Sequence, residues 1–352
     1  MKKIKVSIIG ATGYSGKELI RILLKHPQVE LVHLVSASYA GKNIVELFPE
    51  FLSQLDQVLM KLDVESIGRN SDLVFTAVPH TVSMGIVPDL LRKKSMRVID
   101  LSADFRLKDP DVYAEWYQKE HDEKSRDLLP KAVYGLPEVY RKEITMASLV
   151  ANPGCYPTSV LLGIVPLLFN HLVEPEGIVV DSKSGTSGAG RKLSLGLQFT
   201  ECSENFKAYK CLKHNHIPEM EQELSLIANK KTGQKKKTVK ITFTPHLLPI
   251  RRGILSTCYL DLKGDFDEPK ILQAYKEFYQ DAPFVRLFHP PALPEIHFVT
   301  ETNYCDVGFA MDKRTGKIKV ISVIDNLTKG AAGQAIQNMN IMSGFPEDLG
   351  LV

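Results

Sequence analysis

IKVSIIGATGYSGKELIRILLKHP, residues 4–27, decides the fold. Residues 4–9 are an apolar run of the kind that makes a buried strand. Gly10, Gly13 and Gly16 follow at once, in GATGYSG. Leu19, Ile20, Leu23 and Leu24 then fall on one face of a helix, which His26-Pro27 ends. Strand, glycine turn and helix start, in that order, suit a dinucleotide. The turn must be tight, the backbone must come close to a pyrophosphate, and a helix N-terminus must face it. The spacing is GxxGxxG rather than GxGxxG, so the flanking strand and helix carry more weight than the glycines themselves. The expected cofactor contacts in this turn are Gly10, Thr12, Gly13, Tyr14, Ser15 and Gly16.

Further apolar runs at 30–35, 73–78 and 97–101, with a helical stretch at 82–93, continue the alternation of strand and helix. That alternation predicts a doubly wound parallel sheet over residues 1–150, an α/β nucleotide-binding domain. The second half changes in texture. A helix at 156–170 is followed by strands at 178–182, 239–244, 254–262 and 307–310. Residues 311–324 read as a hairpin turning at Arg314-Thr315-Gly316. Residues 151–327 therefore read as an α+β domain on a mostly antiparallel or mixed sheet. A last helix at 329–342 is expected to return to the first domain, so that 328–352 joins it. The stretch 229–237, with Lys235-Lys236-Lys237, reads as a solvated loop.

With 352 residues the chain is long enough for two cores. Its net charge is only +3, with no like-charged block longer than that lysine run, which argues against a nucleic-acid partner. Five cysteines, an odd number without a CxxC pair, fit neither a disulfide framework nor a zinc site and point to a reduced cytoplasmic protein. The apolar start breaks at Gly10, too early for a signal peptide, and no run approaches the roughly 18 residues of a membrane span.

The end of the second strand selects the cofactor. An NAD enzyme usually places an acid there for the ribose 2′-hydroxyl. Here stand Ser36 and Ser38, with Lys42 close by, which suits the 2′-phosphate of NADP. Pro79 and His80 follow the third strand, where the nicotinamide is expected to pass.

Cys155 sits in NPGCYPT, 152–158, between a short strand at 149–151 and a helix. A cysteine at a helix start gains from the macrodipole and from unused backbone N–H groups, which favour the thiolate and can hold an oxyanion. Cys202, Cys211, Cys258 and Cys305 lack that setting and read as small hydrophobes. A thiolate beside a nicotinamide can attack an activated acyl group, and hydride can reduce the resulting thioester to an aldehyde. That chemistry needs a proton carrier near neutral pH. His214 and His216, in KHNHIPE ahead of a helix, are the candidates, with His216 as acid/base and His214 as a contact to substrate or phosphate. A metal site with Glu219 is the other reading, but no further ligand cluster accompanies it. Arg106, after the 97–101 strand, presents a fork suited to a carboxylate; a salt bridge with Asp104 is the bland alternative. SGTSGAG, 184–190, flanked by Lys183 and Arg191, is expected to form an anion nest.

Taken together these segments resemble the N-acetyl-γ-glutamyl-phosphate reductases. The resemblance spans the chain through GATGYSG at 10–16, AVPH at 77–80, DLSADFRL at 100–107, YGLPE at 134–138, ANPGCYPT at 151–158, SGTSGAGR at 184–191, HNHIPE at 214–219 and KGAAGQAIQN at 329–338. It implies a Rossmann-type domain and a catalytic and dimerisation domain, like those of aspartate-semialdehyde dehydrogenase. It also implies NADP as cofactor, an acyl-phosphate substrate, Cys155 as nucleophile, and a dimer or tetramer. Ser187, Gly188 and Asn326 are then expected near the cofactor, and Asn152, Ser184 and Gly185 near the substrate. Members often carry arginine between the two histidines; this chain has Asn215. The acyl-phosphate reductase of lysine biosynthesis, one carbon longer in substrate, shares nearly all the motifs. Reduction of aspartyl phosphate is disfavoured by HNHIPE and SADFRL. A non-catalytic NADP-binding regulator would need neither the cysteine setting nor the histidine pair.

Overall fold

The computed structural model describes residues 3–93, 95–230 and 238–352. The lysine run at 235–237 lies outside them. The chain divides into two compact units, Met1–Pro153 with Ala331–Val352, and Gly154–Gly330. Four helices matter for the site: α1 (Tyr14–Leu23), α2 (Cys155–Phe169), α3 (Ile217–Ala228) and α4 (Gly333–Ser343).

The first unit holds strands β1 (Ile4–Ile9), β2 (Val29–Val35), β3 (Leu73–Thr76), β4 (Arg97–Asp100), β5 (Val133–Tyr134) and β6 (Leu149–Ala151). They form one sheet in the order β2-β1-β3-β4-β6-β5, parallel throughout, as the alternation of strand and helix requires. Its central strands β1, β3 and β4 contribute apolar residues to two separate buried clusters, as strands covered on both faces do. On one side Leu19, Ile20 and Leu23 of α1 and Ala335, Ile336 and Met339 of α4 pack with Val6, Ile8 and Phe75. Gln334 and Asn338 of α4 both donate to the Gly135 carbonyl, at 2.8 and 2.9 Å, and so bind the last helix to β5.

The stretch 82–93 is not one helix. It breaks into a 3₁₀ turn, Ser83–Gly85, and a single helical turn, Val87–Leu90. Pro88 lies in the first turn of the second piece, where its missing N–H costs nothing, and so marks a new start. Strand β5, two residues long, is too short to show a period.

The second unit carries β7 (Ile178–Ser184), β8 (Lys207–Ala208), β9 (Ile241–Leu247), β10 (Ile254–Asp261), β11 (Val285–Leu287), β12 (Cys305–Asp312) and β13 (Lys317–Ile324). Their order is β11-β12-β13-β10-β7-β9-β8, a mixed sheet in which only β11–β12 and β7–β9 are parallel. The β12–β13 pair is the expected hairpin, with Asp312 opposite Lys317. Strand β9 runs through Pro245 to Leu247, past the expected stop at 244, because only the two-residue β8 flanks its outer side.

Helix α2 lies on this sheet and is buried on every side from Tyr156 to Leu168. Pro166 inside it has no N–H to give the Leu162 carbonyl. Tyr279 donates its hydroxyl to that carbonyl instead, at 2.6 Å. Tyr279→Phe leaves a buried carbonyl unsatisfied and is expected to cost about 1–3 kcal/mol of unfolding free energy in urea titrations. An unchanged midpoint and slope would remove this account of Pro166. Among the described residues no helix is long and apolar enough to cross a membrane.

Candidate active site

In the first unit the three glycines of GATGYSG have three different surroundings. Gly10 has φ of +91°, and a Cβ on it would stand 2.3 Å from the Ala77 carbonyl oxygen. On Gly16 a Cβ would stand 2.3 Å from the Gly10 carbonyl oxygen, so this residue lets α1 close onto the turn. Gly13 is different: nothing lies nearer than the Gly10 oxygen at 3.6 Å. Its bare face leaves room for a ligand to approach the backbone. Gly13 also caps α1 and, being a glycine, puts no side-chain acceptor on the N–H groups of that helix start. Open N–H donors at the positive end of a helix fit a pyrophosphate.

The Thr12 hydroxyl meets that of Ser36 at 2.9 Å and ties the turn to the end of β2. Ser36 is thus buried and engaged, while Ser38 and Lys42 are exposed. Of the three residues expected to meet a 2′-phosphate, the structure presents two. His80 and Pro79 are exposed at the end of β3, with Nδ1 of His80 accepting the Ala103 N–H at 3.0 Å. Arg106 is buried, with Nε on the Asn152 carbonyl and Nη2 on the Leu101 carbonyl, both at 2.8 Å. Those two donors brace the chain around Asn152. Asp104, the alternative partner, accepts from Thr81 N, Met84 N and the Tyr113 hydroxyl. The Asn152 side chain is held between the Ala331 carbonyl and Asn338.

In the second unit Cys155 is the first residue of α2, with Gly154 as its cap. The neighbouring backbone comes very close. A Cβ on Gly330 would stand 2.8 Å from Cβ of Cys155, so no other residue fits there without displacement. Tyr156, next in the chain, gathers the rest of the cluster. The rings of His214 and His216 meet its ring edge-on at 5.3 and 6.0 Å and lie 4.8 Å from each other. Its hydroxyl is 2.9 Å from that of Tyr209. Burial, the neighbouring Tyr209 hydroxyl and the nearby Cys155 charge hold the Tyr156 hydroxyl far above the ordinary tyrosine range. Burial likewise pushes Tyr209 up to about 12. Both phenols therefore stay protonated and act as hydrogen-bonding groups, not bases.

His214 is buried, and its Nδ1 accepts the His216 backbone N–H at 3.2 Å, which leaves Nε2 to carry the proton of the neutral ring. His216 is the cap residue of α3 and is half-buried. Glu219, three residues on and almost wholly buried, accepts the Gly154 N–H at 2.8 Å. It thereby pins the start of α3 to the turn that presents Cys155. A glutamate at the third position of a helix commonly reaches back to its own cap; here it reaches across to the cap of the helix that Cys155 opens. That spacing was visible in HNHIPE, but its destination was not. Tyr156 and Tyr209 carried no sequence signal beyond their place beside Cys155 and ahead of His214.

The SGTSGAG segment corrects an expectation. The N–H groups of Gly185, Thr186 and Ser187 donate to the carbonyls of Gly253, Ile250 and Arg251. Gly188 N–H donates to Gly185. These donors are spent, so the segment is a pinned turn and not an anion nest. Asn326 completes the fastening, accepting the Gly253 N–H at 2.8 Å and donating to the Ser187 hydroxyl at 2.9 Å. The Ser184 hydroxyl donates to the Gly185 carbonyl. Lys183 pairs with Asp181 at 2.8 Å.

Comparison with known proteins agrees with both halves. The model of the semialdehyde dehydrogenase NAD binding domain matches residues 5–147, and that of the semialdehyde dehydrogenase dimerisation domain matches residues 155–326. The chain is similar to an N-acetyl-gamma-glutamyl-phosphate reductase of Pelotomaculum thermopropionicum, with 52% identity over 99% of this chain and 97% of that one. A reductase of the same name from Desulfotalea psychrophila is 51% identical over 99% and 98%. Among solved structures, aspartate semialdehyde dehydrogenase II of Vibrio cholerae superposes with a TM-score of 0.73 at 16% identity, covering 98% of this chain and 99% of that one. The Candida albicans aspartate semialdehyde dehydrogenase, solved with NADP, gives 0.69 at 16% identity over 97% and 98%.

Proposed function

Because the chain belongs to the N-acetyl-γ-glutamyl-phosphate reductase family, we propose that it reduces N-acetyl-γ-glutamyl phosphate to N-acetylglutamate 5-semialdehyde and phosphate, in arginine biosynthesis, through a thioester on Cys155. One observation supports the residue roles above the others: Cys155 opens α2 within a cluster that holds two histidines on the ring of the adjacent Tyr156. The Cys155 thiolate attacks the acyl carbon, the carbon–oxygen bond to phosphate breaks, and a thioester forms. When bound along GATGYSG, the nicotinamide dinucleotide supplies the hydride that reduces this thioester. His216 gives a proton to the oxygen as it becomes an alkoxide, and a thiohemiacetal results. His216 then takes the hydroxyl proton back, the carbon–sulfur bond breaks, and aldehyde leaves with Cys155 restored as thiolate. His214 holds the substrate or its phosphate beside it. Glu219 keeps the two helix starts in register through Gly154.

Arg106 and Asn152 serve the substrate side by bracing the turn ahead of Cys155. The chain acts in the cytoplasm as a homo-oligomer, a dimer or tetramer. Assay of purified protein with N-acetyl-γ-glutamyl phosphate and with its one-carbon-longer homologue tests the substrate; faster reduction of the longer acyl phosphate would move the chain to lysine biosynthesis.

The cofactor in this reading is NADPH. Exposed Ser38 and Lys42, with no acid at the end of β2, meet the 2′-phosphate. A charge-assisted contact of this kind is worth about 1.5–3 kcal/mol. kcat/KM with NADPH should therefore exceed that with NADH by roughly 10- to 100-fold, and equal values for the two would overturn the assignment.

A further inference from the structure

In the first unit β1 lies between β2 and β3, all parallel, with Ile9 level with Val35 on one side and with Thr76 on the other. The chain leaves β1 for β2 and then crosses back to β3. The crevice between the ends of β1 and β3 is thus a switch point, where sheets of this kind take their ligands. With a pyrophosphate on GATGYSG beyond β1 and a 2′-phosphate on Ser38 and Lys42 beyond β2, the nicotinamide half of the cofactor falls over the end of β3.

The turn that follows β3 is held in a costly shape. Thr81 adopts left-handed backbone, with φ of 73°. For a β-branched residue that is an outlier, and it persists only where the surroundings over-determine it. The Thr81 N–H donates to Oδ1 of Asp104 at 2.7 Å, and the Met84 N–H donates to Oδ2 at 2.9 Å. Asp104 is wholly buried, and the Tyr113 hydroxyl also donates to its Oδ1, at 2.7 Å. Thr76 and Ser83, on the two flanks of the turn, both donate their hydroxyls to Oδ1 of Asp100 at 2.6 Å. Asp100 therefore closes the turn, and Asp104 sets its shape.

Pro79, His80 and Val82 of the same turn are exposed. His80 accepts the Ala103 N–H on Nδ1 at 3.0 Å, so its neutral ring carries the proton on Nε2, and the Tyr117 ring meets it edge-on at 5.4 Å. Glycine would adopt the Thr81 conformation without strain. A threonine kept there by a buried carboxylate fixes one shape before any ligand arrives, which spares the ordering cost at binding. We propose that Asp104 is a positioning residue: by holding Thr81 in left-handed backbone it keeps the turn after β3 in the shape that receives the nicotinamide half of the cofactor. This inference rests on the reading of GATGYSG as the cofactor turn.

Asp104→Ala tests it through binding alone. NADPH, followed by its fluorescence, probes both halves of the cofactor. Adenosine 2′,5′-bisphosphate, followed by calorimetry, probes the half that does not reach β3. Without Asp104 the Thr81 backbone relaxes and the receptive turn becomes a minor population. The apparent Kd for NADPH should then rise roughly 10- to 100-fold, while the bisphosphate binds as it does to wild type. Thr81→Gly added to Asp104→Ala should recover most of the lost affinity, because glycine takes positive φ about as readily as negative. Asp104→Asn keeps the shape of the side chain but can offer an oxygen to only one of its two N–H partners. It should fall between wild type and alanine, and it decides the case if Asp104→Ala melts in circular dichroism. Equal loss for both probes would make Asp104 a brace of the whole unit and overturn the proposal, as would undiminished NADPH affinity or a double variant that recovers nothing. A wild-type chain that binds neither probe would overturn the cofactor reading beneath it.

Discussion

Cys155→Ala is expected to lower turnover by roughly 10⁴-fold or more while leaving NADPH binding intact, since removing a covalent nucleophile costs on this scale. The expectation follows from where the sulfur sits. At the first position of α2 it lies at the positive end of a 15-residue helix whose cap residue supplies no side-chain acceptor. The N–H groups of that first turn are the natural donors to an oxyanion on an acyl carbon bonded to sulfur. Without the sulfur no thioester forms, and the remaining donors have nothing to stabilise. Cys155→Ser separates nucleophile from shape, because a hydroxyl fits the same space but ionises far less readily. It should fail nearly as completely. Steady-state turnover and cofactor fluorescence titration measure the two quantities separately. Near-normal kcat in the alanine variant would end the thioester mechanism.

His216→Asn should lower kcat by roughly 10²–10⁴-fold and flatten one limb of the pH–rate profile, the usual signature of a lost acid/base. His214→Asn should mainly raise KM. The two rings are neighbours, yet their settings differ. His214 is buried and spends Nδ1 on the His216 backbone, whereas His216 caps α3 and keeps partial access to solvent. A residue that must gain and lose a proton once per turnover is better placed in the second setting. Single-turnover hydride transfer and full pH profiles on both variants check the division of roles. If both keep the wild-type profile, the proton carrier lies elsewhere, and His80 at the end of β3 is the next candidate.

Legibility in the sequence followed the range of the interactions involved. Strand β1, the glycine turn and α1 were readable because each is set by neighbours a few residues away. The same holds for Cys155 at its helix start. The break at 83–90 was missed because apolar spacing carried on through Gly85 and Pro88. The anion nest expected at 184–190 failed for a different reason. Its glycines do give a tight turn, but the N–H groups of Gly185, Thr186 and Ser187 go to carbonyls of 250–253, some sixty residues away. Arg106, read as a fork for a substrate carboxylate, also spends two of its donors on the carbonyls of Leu101 and Asn152, a bracing use that its sequence setting did not show. Glu219 was seen as a possible metal ligand, while its actual partner is a backbone N–H of another helix. A sequence shows which donors and acceptors exist, and only the fold shows which are already engaged.

The division of the chain bears on how it is made. Gly154–Gly330 is one continuous piece, set between Met1–Pro153 and Ala331–Val352 of the other unit. Ala332, Ala335, Ile336 and Met339 belong to the same apolar core as Val6, Ile8 and Phe75. On the ribosome, strands β1 to β6 emerge first yet must wait for those residues before one face of their sheet is covered. At roughly 5–20 residues per second, the wait lasts on the order of 10–40 seconds. The inserted piece is contiguous, yet its sheet is complete only when β13 (Lys317–Ile324) has emerged, because α2 packs on β10 and β13. Both units are therefore completed in the last stretch of translation, and 331–352 is the step that covers the open face of the first sheet.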